Sequence, residues 1–347
     1  MVTGNTPPTS KAEYYNNASY LWASPADLGI NKNITDTKAK LSLLGFKKTR
    51  AIPKGSVLVT CIGSTIGKMG MAVETMSSNQ QINSIVVNDK SNNDFVYYAI
   101  YRAFPRYLPE VGVQAVPILS KSNFEKLPNY TTSRKEQNKI GYFLNLLDER
   151  IATQNKIIED LKKLKSAIAE SLFKTIKGDI IALSEICDIV KGKQINGEFL
   201  SESGRYYVMN GGTEPSGFYD NYNVEANTIS ISEGGNSCGY VQFNTAPFWS
   251  GGHCYTIQEI TNNVENMYLY HYLKSKEDTI MQLRIGSGLP NIQKKDLAKF
   301  KVIVPAIERQ KTISVFLSLL ERKAEIETEI LIAMQSEKQY LLRQMFI

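Results

Sequence analysis

The sequence contains few of the residues from which metal sites and disulfide frameworks are built. Only two of its 347 residues are histidine, His253 and His271, and its four cysteines are widely spaced, with no CxxC pair. Cysteines in this arrangement indicate reduced thiols, as in a cytoplasmic protein, rather than a disulfide scaffold. Cys254 follows His253 directly, but no second ligand pair stands at zinc spacing, so we predict no metal site.

Long hydrophobic runs are also missing. No stretch is apolar enough to span a bilayer, and the residues behind Met1 do not resemble a signal peptide. Hydrophobic residues make up 42% and charged residues 21% of the chain, as in ordinary globular proteins. We therefore expect a cytoplasmic chain with no membrane partner, long enough for two domains.

Catalytic motifs are absent as well. The segment Gly63–Lys68 resembles a phosphate-binding loop, but only three residues separate its glycines, and Met69 stands where Ser or Thr would bind the metal. A tight turn after a strand is the favoured interpretation. We find no Asn-Pro-Pro-Tyr-type tetrad, no glycine-rich methyl-donor fingerprint and no nuclease-like acidic cluster with a lysine. We therefore predict that the chain is not an enzyme and has no catalytic, cofactor-binding or metal-binding residues.

Positive charge is unevenly distributed along the chain. The formal net charge is +6, and residues 1–133 carry 14 Lys and Arg against 8 Asp and Glu. Residues 134–178 carry 10 against 6, residues 179–304 carry 10 against 14, and residues 305–347 carry 6 against 6. The first part is thus typical of a polyanion-binding protein. If the acidic part 179–304 also binds DNA, it must concentrate its cations locally, because neutralisation of phosphates drives affinity.

An internal repeat organises the chain. Pro117 and Pro290 are 173 positions apart, and the same offset relates many further pairs without a gap. They include Lys121 and Lys294, Gln137 and Gln310, Ile140 and Ile313, Phe143 and Phe316, Leu147 and Leu320, Ile157 and Ile330, and Phe173 and Phe346. Upstream, Ile66-Gly67 aligns more loosely with Cys238-Gly239, and Val2-Thr3-Gly4 with Val190-Lys191-Gly192. The order is therefore module, helix, module, helix.

The two helices are the clearest elements. From Arg134 to Lys174 the only helix-breaking residue is Gly141, and apolar residues recur every three or four positions. The segment Arg309–Phe346, after Pro305, repeats this pattern. A single amphipathic helix is usually a core helix, but two long ones in matching register favour an antiparallel coiled coil. Each would be roughly 60 Å long at about 1.5 Å per residue.

The modules consist mainly of predicted strands and turns. The β-branched runs Val57–Ile62 and Thr228–Ser232 end at glycines, and short helices are expected near Phe95–Phe104 and Asn266–Ser275. We predict an α+β protein with two mostly-β target-recognition domains in a pseudo-two-fold repeat, separated by two long antiparallel coiled-coil helices. The predicted segments are module one at 1–133, a central spacer helix at 134–178, module two at 179–304 and a C-terminal spacer helix at 305–347.

The combination of motifs resembles the specificity (S) subunit of type I restriction-modification systems. The segment Thr3–Thr9 followed by Tyr14-Tyr15 is similar to the Gly-x-Thr-Pro-Ser turn that opens such domains. The strand Val57–Thr60 leading to Gly63 and Gly67, the domain endings Val116–Phe124 and Leu289–Leu297, and the helix starts at Gln137 and Gln310 complete a pattern that covers the whole chain. The second opening, Lys191–Gly197, lacks the Thr-Pro element. The first module lacks the strand-like lead-in that residues 182–190 provide in the second, so we expect a truncated N-terminus.

The resemblance implies a division of labour among subunits. Each module would read one half of a bipartite double-stranded DNA target, mainly in the major groove. The helices would set the distance between half-sites and dock two methyltransferase (M) subunits, which would carry S-adenosylmethionine and methylate adenine N6. Restriction (R) subunits would add ATP- and Mg-dependent translocation and cleavage. No cofactor is expected on this chain.

The candidate DNA-contacting residues have side chains that can pair with base edges, and we expect them on exposed turns. For each one alone, a satisfied turn residue or a solvated surface residue is the common alternative. In the first module the candidates are Asn5, Lys11, Tyr14, Ser64, Thr65, Lys68, Asn79, Gln80 and Gln81. In the second module they are Lys191, Lys193, Gln194, Asn210, Ser237, Tyr240, Ser250 and His253.

Three other functions remain open at the level of sequence. The acidic second module favours a coiled-coil assembly scaffold that binds proteins or carbohydrate. A recognition fragment of a single-chain restriction–methylation enzyme is the second, although such an enzyme would carry methyltransferase motifs. The third is a shortened subunit that joins only some complexes or recombines with other module-coding segments.

Overall fold

The chain divides into two compact units that each combine one module with parts of both long helices. The computed structural model describes residues 1–111, 116–286, 288 and 290–346, so the motif residue Leu289 lies outside the described residues. The first unit comprises Met1–Asn155 and Glu329–Ile347, and the second comprises Lys156–Thr328. The boundaries therefore fall inside the helices, unlike the predicted segments, in which each helix stood by itself.

The first unit contains two small sheets. A five-stranded sheet has the order β1-β8-β5-β6-β3, and a three-stranded sheet has the order β4-β2-β7. The strands are β1 (Val2–Thr3), β2 (Tyr20–Ala23), β3 (Asn33–Ile34), β4 (Ala39–Leu41), β5 (Val57–Thr60), β6 (Met69–Ala72), β7 (Ser77–Ser78) and β8 (Ile82–Ile85). The helices are α1 (Leu43–Phe46), α2 (Asn93–Tyr107), α3 (Lys121–Phe124) and α4 (Arg134–Thr175), with 3-10 turns at Ala12–Tyr14, Pro25–Asp27 and Leu108–Glu110.

The core of the first unit lies between the five-stranded sheet and the helices. All four residues of β5 are buried, because this strand is central and both its faces are covered. Val57 and Val59 pack with the buried face of α2, and Leu144 of α4 belongs to the same cluster. Leu58, on the other face of the strand, packs in a second cluster that includes Leu21 of β2. Pro105 lies inside α2 near its C-terminal end, where the helix gives way to a 3-10 turn.

The second unit repeats this arrangement with one additional sheet. A four-stranded sheet has the order β10-β16-β13-β14, a three-stranded sheet the order β12-β11-β15, and β17 pairs with β9. The strands are β9 (Asp179–Ala182), β10 (Asp188–Lys191), β11 (Tyr206–Met209), β12 (Phe218–Tyr219), β13 (Thr228–Ser232), β14 (Val241–Asn244), β15 (Trp249–Ser250), β16 (Cys254–Gln258) and β17 (Lys301–Val304). The helices are α5 (Leu183–Ile186), α6 (Asn266–Ser275), α7 (Glu277–Met281), α8 (Lys294–Ala298) and α9 (Ile307–Met345), with a 3-10 turn at Gly197–Phe199.

The long helices run antiparallel inside each unit. In the first unit Asp148 of α4 forms an ion pair with Lys338 of α9, and the earlier residue Leu144 shares a buried cluster with the later residue Leu342. In the second unit Lys165 pairs with Glu321 at 2.7 Å, and Phe173 shares a cluster with Ile313. The predicted antiparallel helix pair and the α+β class are thus confirmed. No helix among the described residues is long and apolar enough to cross a membrane.

Candidate nucleic-acid interface

Both modules contain the same frame of glycine-dependent turns, which we call the glycine frame. In the first module it comprises Gly4 and residues 60–67 and 78–82, and in the second Gly192 and residues 232–239 and 250–254. The backbone hydrogen bonds match one for one. In the first module the backbone N–H groups donate to backbone carbonyls in the pairs Gly67 to Thr60, Gly63 to Pro117, Cys61 to Gln81, and Gly4 to Ile82. The equivalent pairs of the second module, in the same order, are Gly239 to Ser232, Gly235 to Pro290, Glu233 to His253, and Gly192 to Cys254.

Glycine is required at these positions by backbone geometry. Gly63 and Gly67 have φ values of 92° and 90°, in the left-handed region that side chains disfavour. At Gly4 a Cβ atom would lie 2.2 Å from the carbonyl oxygen of Asn79, and at Gly192 it would lie 2.1 Å from that of Gly251. The segment 63–68 is therefore a tight turn after a strand, as the sequence indicated, and not a phosphate loop.

Neutral side chains fill the glycine frame of the first module. The Thr3 hydroxyl donates to Asn83 Oδ1 at 2.6 Å, and Asn79 Nδ2 donates to Gln81 Oε1 at 3.1 Å. Burial raises the pKa of the Cys61 thiol to about 11, so this group stays protonated at neutral pH. Polar groups that satisfy one another in this way hold the side chains in one arrangement.

Three cationic residues next to Asn5 were not among the predicted contacts. The Asn5 amide donates to the Lys48 carbonyl at 2.9 Å and accepts from the Arg50 backbone N–H at 2.9 Å. Arg50 itself reaches back to the Thr3 carbonyl, and Lys47, Lys48 and Arg50 are all exposed. The dense basic run at 47–50 was the available sequence signal. These residues form a local basic cluster, and phosphate contacts in protein–DNA interfaces commonly use such cations.

The other candidates in the first module have different surroundings. Tyr14 is 6% exposed and Asn79 is 8% exposed, so both lie in the interior and support the turns instead of reaching a ligand. Gln80 is exposed and accepts a hydrogen bond from Thr6 at 2.6 Å, and Lys11 and Ser64 are exposed. Thr65 is half-buried. Lys68 is exposed and lines a groove beside α4.

Ionisable side chains occupy the same frame in the second module. Lys191 Nζ lies 2.6 Å from Glu233 Oε1, which also accepts from the Tyr255 hydroxyl at 3.0 Å. His253 Nδ1 lies 3.6 Å from Glu233 Oε2, which is too long for a hydrogen bond. Glu233 was missed at the level of sequence, because Ser232-Glu233 continues the alternation of β13 and gave no separate signal.

The remaining candidates of the second module have different surroundings. His253 N donates to Asn210 Oδ1 at 3.1 Å, Lys193 N donates to the Ser250 carbonyl at 2.8 Å, and Gln194 is exposed. Ser250 is only 1% exposed, so it serves the frame and not the surface. Ser237 is half-buried in the glycine turn. Tyr240 is engaged elsewhere, since its ring centroid lies 3.9 Å from Lys274 Nζ.

Each module is fixed to its spacer helix by a buried glutamine at the same repeat position. Gln137 Oε1 accepts from the Asn92 N–H at 2.9 Å, and Gln310 Oε1 accepts from the Glu265 N–H at 2.8 Å. Asn92 and Glu265 in turn cap the N-termini of α2 and α6. These hydrogen bonds from the glutamine side chains connect each module to the start of its long helix.

A tyrosine, an acid and a lysine form a second shared link between module and helices. In the first unit Tyr98 donates to Asp148 at 2.6 Å, and Asp148 pairs with Lys338. In the second unit Tyr270 donates to Glu321 at 3.2 Å, and Glu321 pairs with Lys165. In the first unit a groove of about 1400 Å³ lies beside this link, lined by Lys68 and Arg102 of the module and by residues of α4 and α9. Among the described residues there is no group of His, Cys, Asp and Glu that could hold a metal ion.

Comparison with known proteins identifies this repeated architecture. The type I restriction modification DNA specificity domain matches the chain twice, at residues 2–163 and 178–335. The chain belongs to this family. It is a type I specificity subunit, whose function is recognition of DNA sequence, and its two recognition modules and connecting helices are the two copies of that domain.

Specificity subunits of two Mycoplasma species are similar to this chain. A type I specificity subunit of Mycoplasma pneumoniae is 32% identical over 151 residues, covering 43% of this chain and 40% of that protein. One of Mycoplasma genitalium is 23% identical over 303 residues, covering 82% of this chain and 79% of that protein. The matched region thus spans less than half of the first relative and most of the second.

Solved structures share the fold. The crystal structure of a type I restriction-modification S subunit from M. genitalium superposes with a TM-score of 0.68 at 20% identity, covering 99% of this chain and 92% of that one. A chain from a structural study of complex assembly and conformational transition of the type I system gives 0.61 at 15% identity, covering 100% and 95%.

Proposed function

We propose that each module reads one half of a bipartite DNA target. One observation carries this proposal: the two glycine frames have the same backbone hydrogen bonds but different side chains. Thr3, Cys61 and Gln81 in the first module stand where Lys191, Glu233 and His253 stand in the second. A shared scaffold with different polar groups suits two readers of different base sequences, because base edges differ in their donors and acceptors.

The charge of each module supports binding to the DNA backbone. The first module carries an excess of cations, with the run at 47–50 beside Asn5. The second is acidic by count, yet Lys191 and Lys193 both lie exposed at its glycine frame. Local cations beside the frame are what phosphate contacts require, so net acidity does not exclude DNA.

We further propose that the long helices dock two methyltransferase subunits and set the distance between the half-sites. Three large apolar residues near the start of each helix are exposed, and the triplets are related by the repeat offset. They are Tyr142, Phe143 and Leu146 on α4, and Val315, Phe316 and Leu319 on α9. We call them the paired apolar patches. Two equivalent patches suit two copies of one partner that presents an apolar surface, since exposed apolar clusters mark interaction sites.

A shallow groove lies beside the patch of the second unit. It measures about 370 Å³ and is lined by Val315, Leu319 and Met267 together with polar residues including Arg322. A groove with an apolar floor and a polar rim fits an amphipathic helix of the partner. The chain itself contributes no chemistry in this proposal. S-adenosylmethionine would be bound by the methyltransferase subunits, and ATP and Mg by restriction subunits, in the cytoplasm.

The test is methylome sequencing of a host that expresses this chain together with its methyltransferase subunits. We expect a bipartite motif bearing N6-methyladenine that is present only with the chain. A quadruple variant, Lys47→Ala, Lys48→Ala, Arg50→Ala and Asn5→Ala, should abolish or degrade one half of the motif, and Lys191→Ala with Lys193→Ala the other. A stable complex that yields no motif would contradict DNA recognition, and failure to form any complex would favour the scaffold function.

A further inference from the structure

In the second glycine frame, the buried carboxylate of Glu233 is only partly hydrogen-bonded. Glu233 is 7% exposed, and its Oε1 atom is engaged by Lys191 and Tyr255. Its Oε2 atom is buried and has no hydrogen-bond partner among the described residues. A buried carboxylate oxygen without a donor is unfavourable, because it has lost its hydration without a replacement hydrogen bond. The donor in reach is His253 Nδ1, 3.6 Å away on an exposed side chain.

We propose that the second module takes up one proton on binding its half-site, that His253 carries it, and that Glu233 is the residue that holds it there. The protonated imidazole donates from Nδ1 to Glu233 Oε2 and from Nε2 outward to an acceptor on the DNA. A neutral imidazole has one donor and cannot serve both partners. The proposal rests on the proposed function, because it assigns DNA to this face of the module.

The groups around the cluster do not titrate in its place. Lys191 on β10 and Arg284 after α7 are cations, and Tyr255 on β16 donates to the carboxylate. Burial raises the pKa of Tyr255 and of the Cys238 thiol, and it raises the pKa of the Cys254 thiol to about 11. Near neutral pH, imidazole is the side chain of this set that ordinarily gains or loses a proton.

The first module is an internal control for this inference. Gln81 occupies the position of His253, since both accept the backbone bond of the frame, and Cys61 occupies that of Glu233. Thr3 and Asn83 form the same strand pair as Lys191 and Tyr255. This set is neutral throughout, with its hydroxyl, amide and thiol groups. Recognition by the first module is therefore independent of pH over the range in which the second responds.

The experiment measures binding at constant salt between about pH 5.5 and about pH 8.5, the range over which imidazole titrates. The full chain in complex with its methyltransferase subunits binds a fluorescent duplex carrying the motif found by methylome sequencing. Because binding takes up a proton, affinity falls as pH rises, approaching tenfold per pH unit for one proton. His253→Gln, which installs the residue of the first module, should remove this dependence, and Glu233→Gln should weaken it. Gln81→Ala should lower affinity and leave the dependence unchanged.

A second readout does not depend on affinity. With isotope-labelled histidine the chain gives only two ring signals, from His253 and His271. The signal of His253 should keep its protonated position to higher pH with DNA than without, and Glu233→Gln should reduce that difference. Specific binding whose pH dependence survives His253→Gln, or that shows none in the parent chain, would overturn the inference alone. Loss of specific binding at every pH would overturn the proposed function together with it.

Discussion

At the scale of single residues, burial decides roles that polarity alone cannot. Tyr14, Asn79 and Ser250 have side chains suited to base contacts, yet the fold places all three in the interior. Glu233, which sequence reasoning passed over, is the buried acid around which the second frame is organised. The composition of a turn shows which chemistry is present, but the direction of each side chain depends on contacts from distant segments.

His271 is the residue whose environment yields the clearest pH prediction. It is 2% exposed, its Nε2 atom lies 2.9 Å from the Ser318 hydroxyl, and burial lowers its pKa to about 3, with Lys165 adding to the effect. Because the pKa in the folded state lies below the unfolded value of about 6.5, this group's contribution to stability is complete above that value and is lost as pH falls towards 3. At pH 5 the loss should be about 2 kcal/mol.

Urea unfolding at pH 7 and pH 5 measures this loss. The chain has two tryptophans, Trp22 and Trp249, one in each unit, so Trp22→Phe leaves fluorescence that reports the second unit. In the Trp22→Phe background, His271→Gln should remove most of the loss of about 2 kcal/mol in unfolding free energy between pH 7 and pH 5. The Trp22→Phe parent, which keeps His271, is the control and should show the full drop. An equal drop in both variants would contradict a buried neutral imidazole.

At the scale of elements, periodicity in the sequence was sufficient to place the helices. The predicted helix 134–174 is observed as Arg134–Thr175, and the predicted short helix near 266–275 is observed as Asn266–Ser275. The short strands β1, β3, β7, β12 and β15 have two residues each, too few for any periodic signal, and depend on pairing across the module. A long helix can be predicted from the periodicity of its own sequence, whereas such short strands form only where tertiary contacts bring a partner strand alongside.

The paired apolar patches lead to a prediction about assembly. In the second patch, Phe316→Glu with Leu319→Glu places two charges on surface that should become buried, so the chain should bind one methyltransferase subunit instead of two. Native mass spectrometry of the assembled complex counts the subunits. The corresponding change in the first patch, Phe143→Glu with Leu146→Glu, should have the same effect.

A control for the patches is available on the same helix. Ile332 is 57% exposed, and its repeat counterpart is the charged residue Glu159, so it belongs to no pair of patches. Ile332→Glu should therefore retain both subunits. If this variant lost a subunit, or if the patch variants retained two, the patches would not be the docking sites.

At the scale of the whole molecule, the repeat carries most of what could be predicted. The offset of 173 that aligns Gln137 with Gln310 also relates Asn155 to Thr328, the residues at which the two units divide each helix. The repetition of the fold could therefore be predicted from the sequence. The DNA target was not, because base contacts depend on the placement of loop side chains within about half an ångström.

The spacer helices predict a change in target spacing. Four residues of helical sequence inserted after Asn155 and four more after Thr328 keep the helices paired in each unit and lengthen both by about 6 Å. At about 3.4 Å per base pair, the gap between half-sites should grow by one or two base pairs. Methylome sequencing of the double insertion measures the gap. Insertion into one helix alone should weaken the complex, and an unchanged gap in the double insertion would show that the helices do not set it.

The ion pairs between the long helices have one more consequence. Asp148 and Lys165 lie on α4, and their repeat counterparts Glu321 and Lys338 on α9 are the residues to which they bind. Each helix thus contains both the acid and the base that its partner needs, so the helix is self-complementary. A half-length chain, with one module and one helix, could associate with a second copy of itself through an isologous interface. By its two-fold symmetry such a homodimer would carry two identical readers, and the sequence it recognised would be a palindrome.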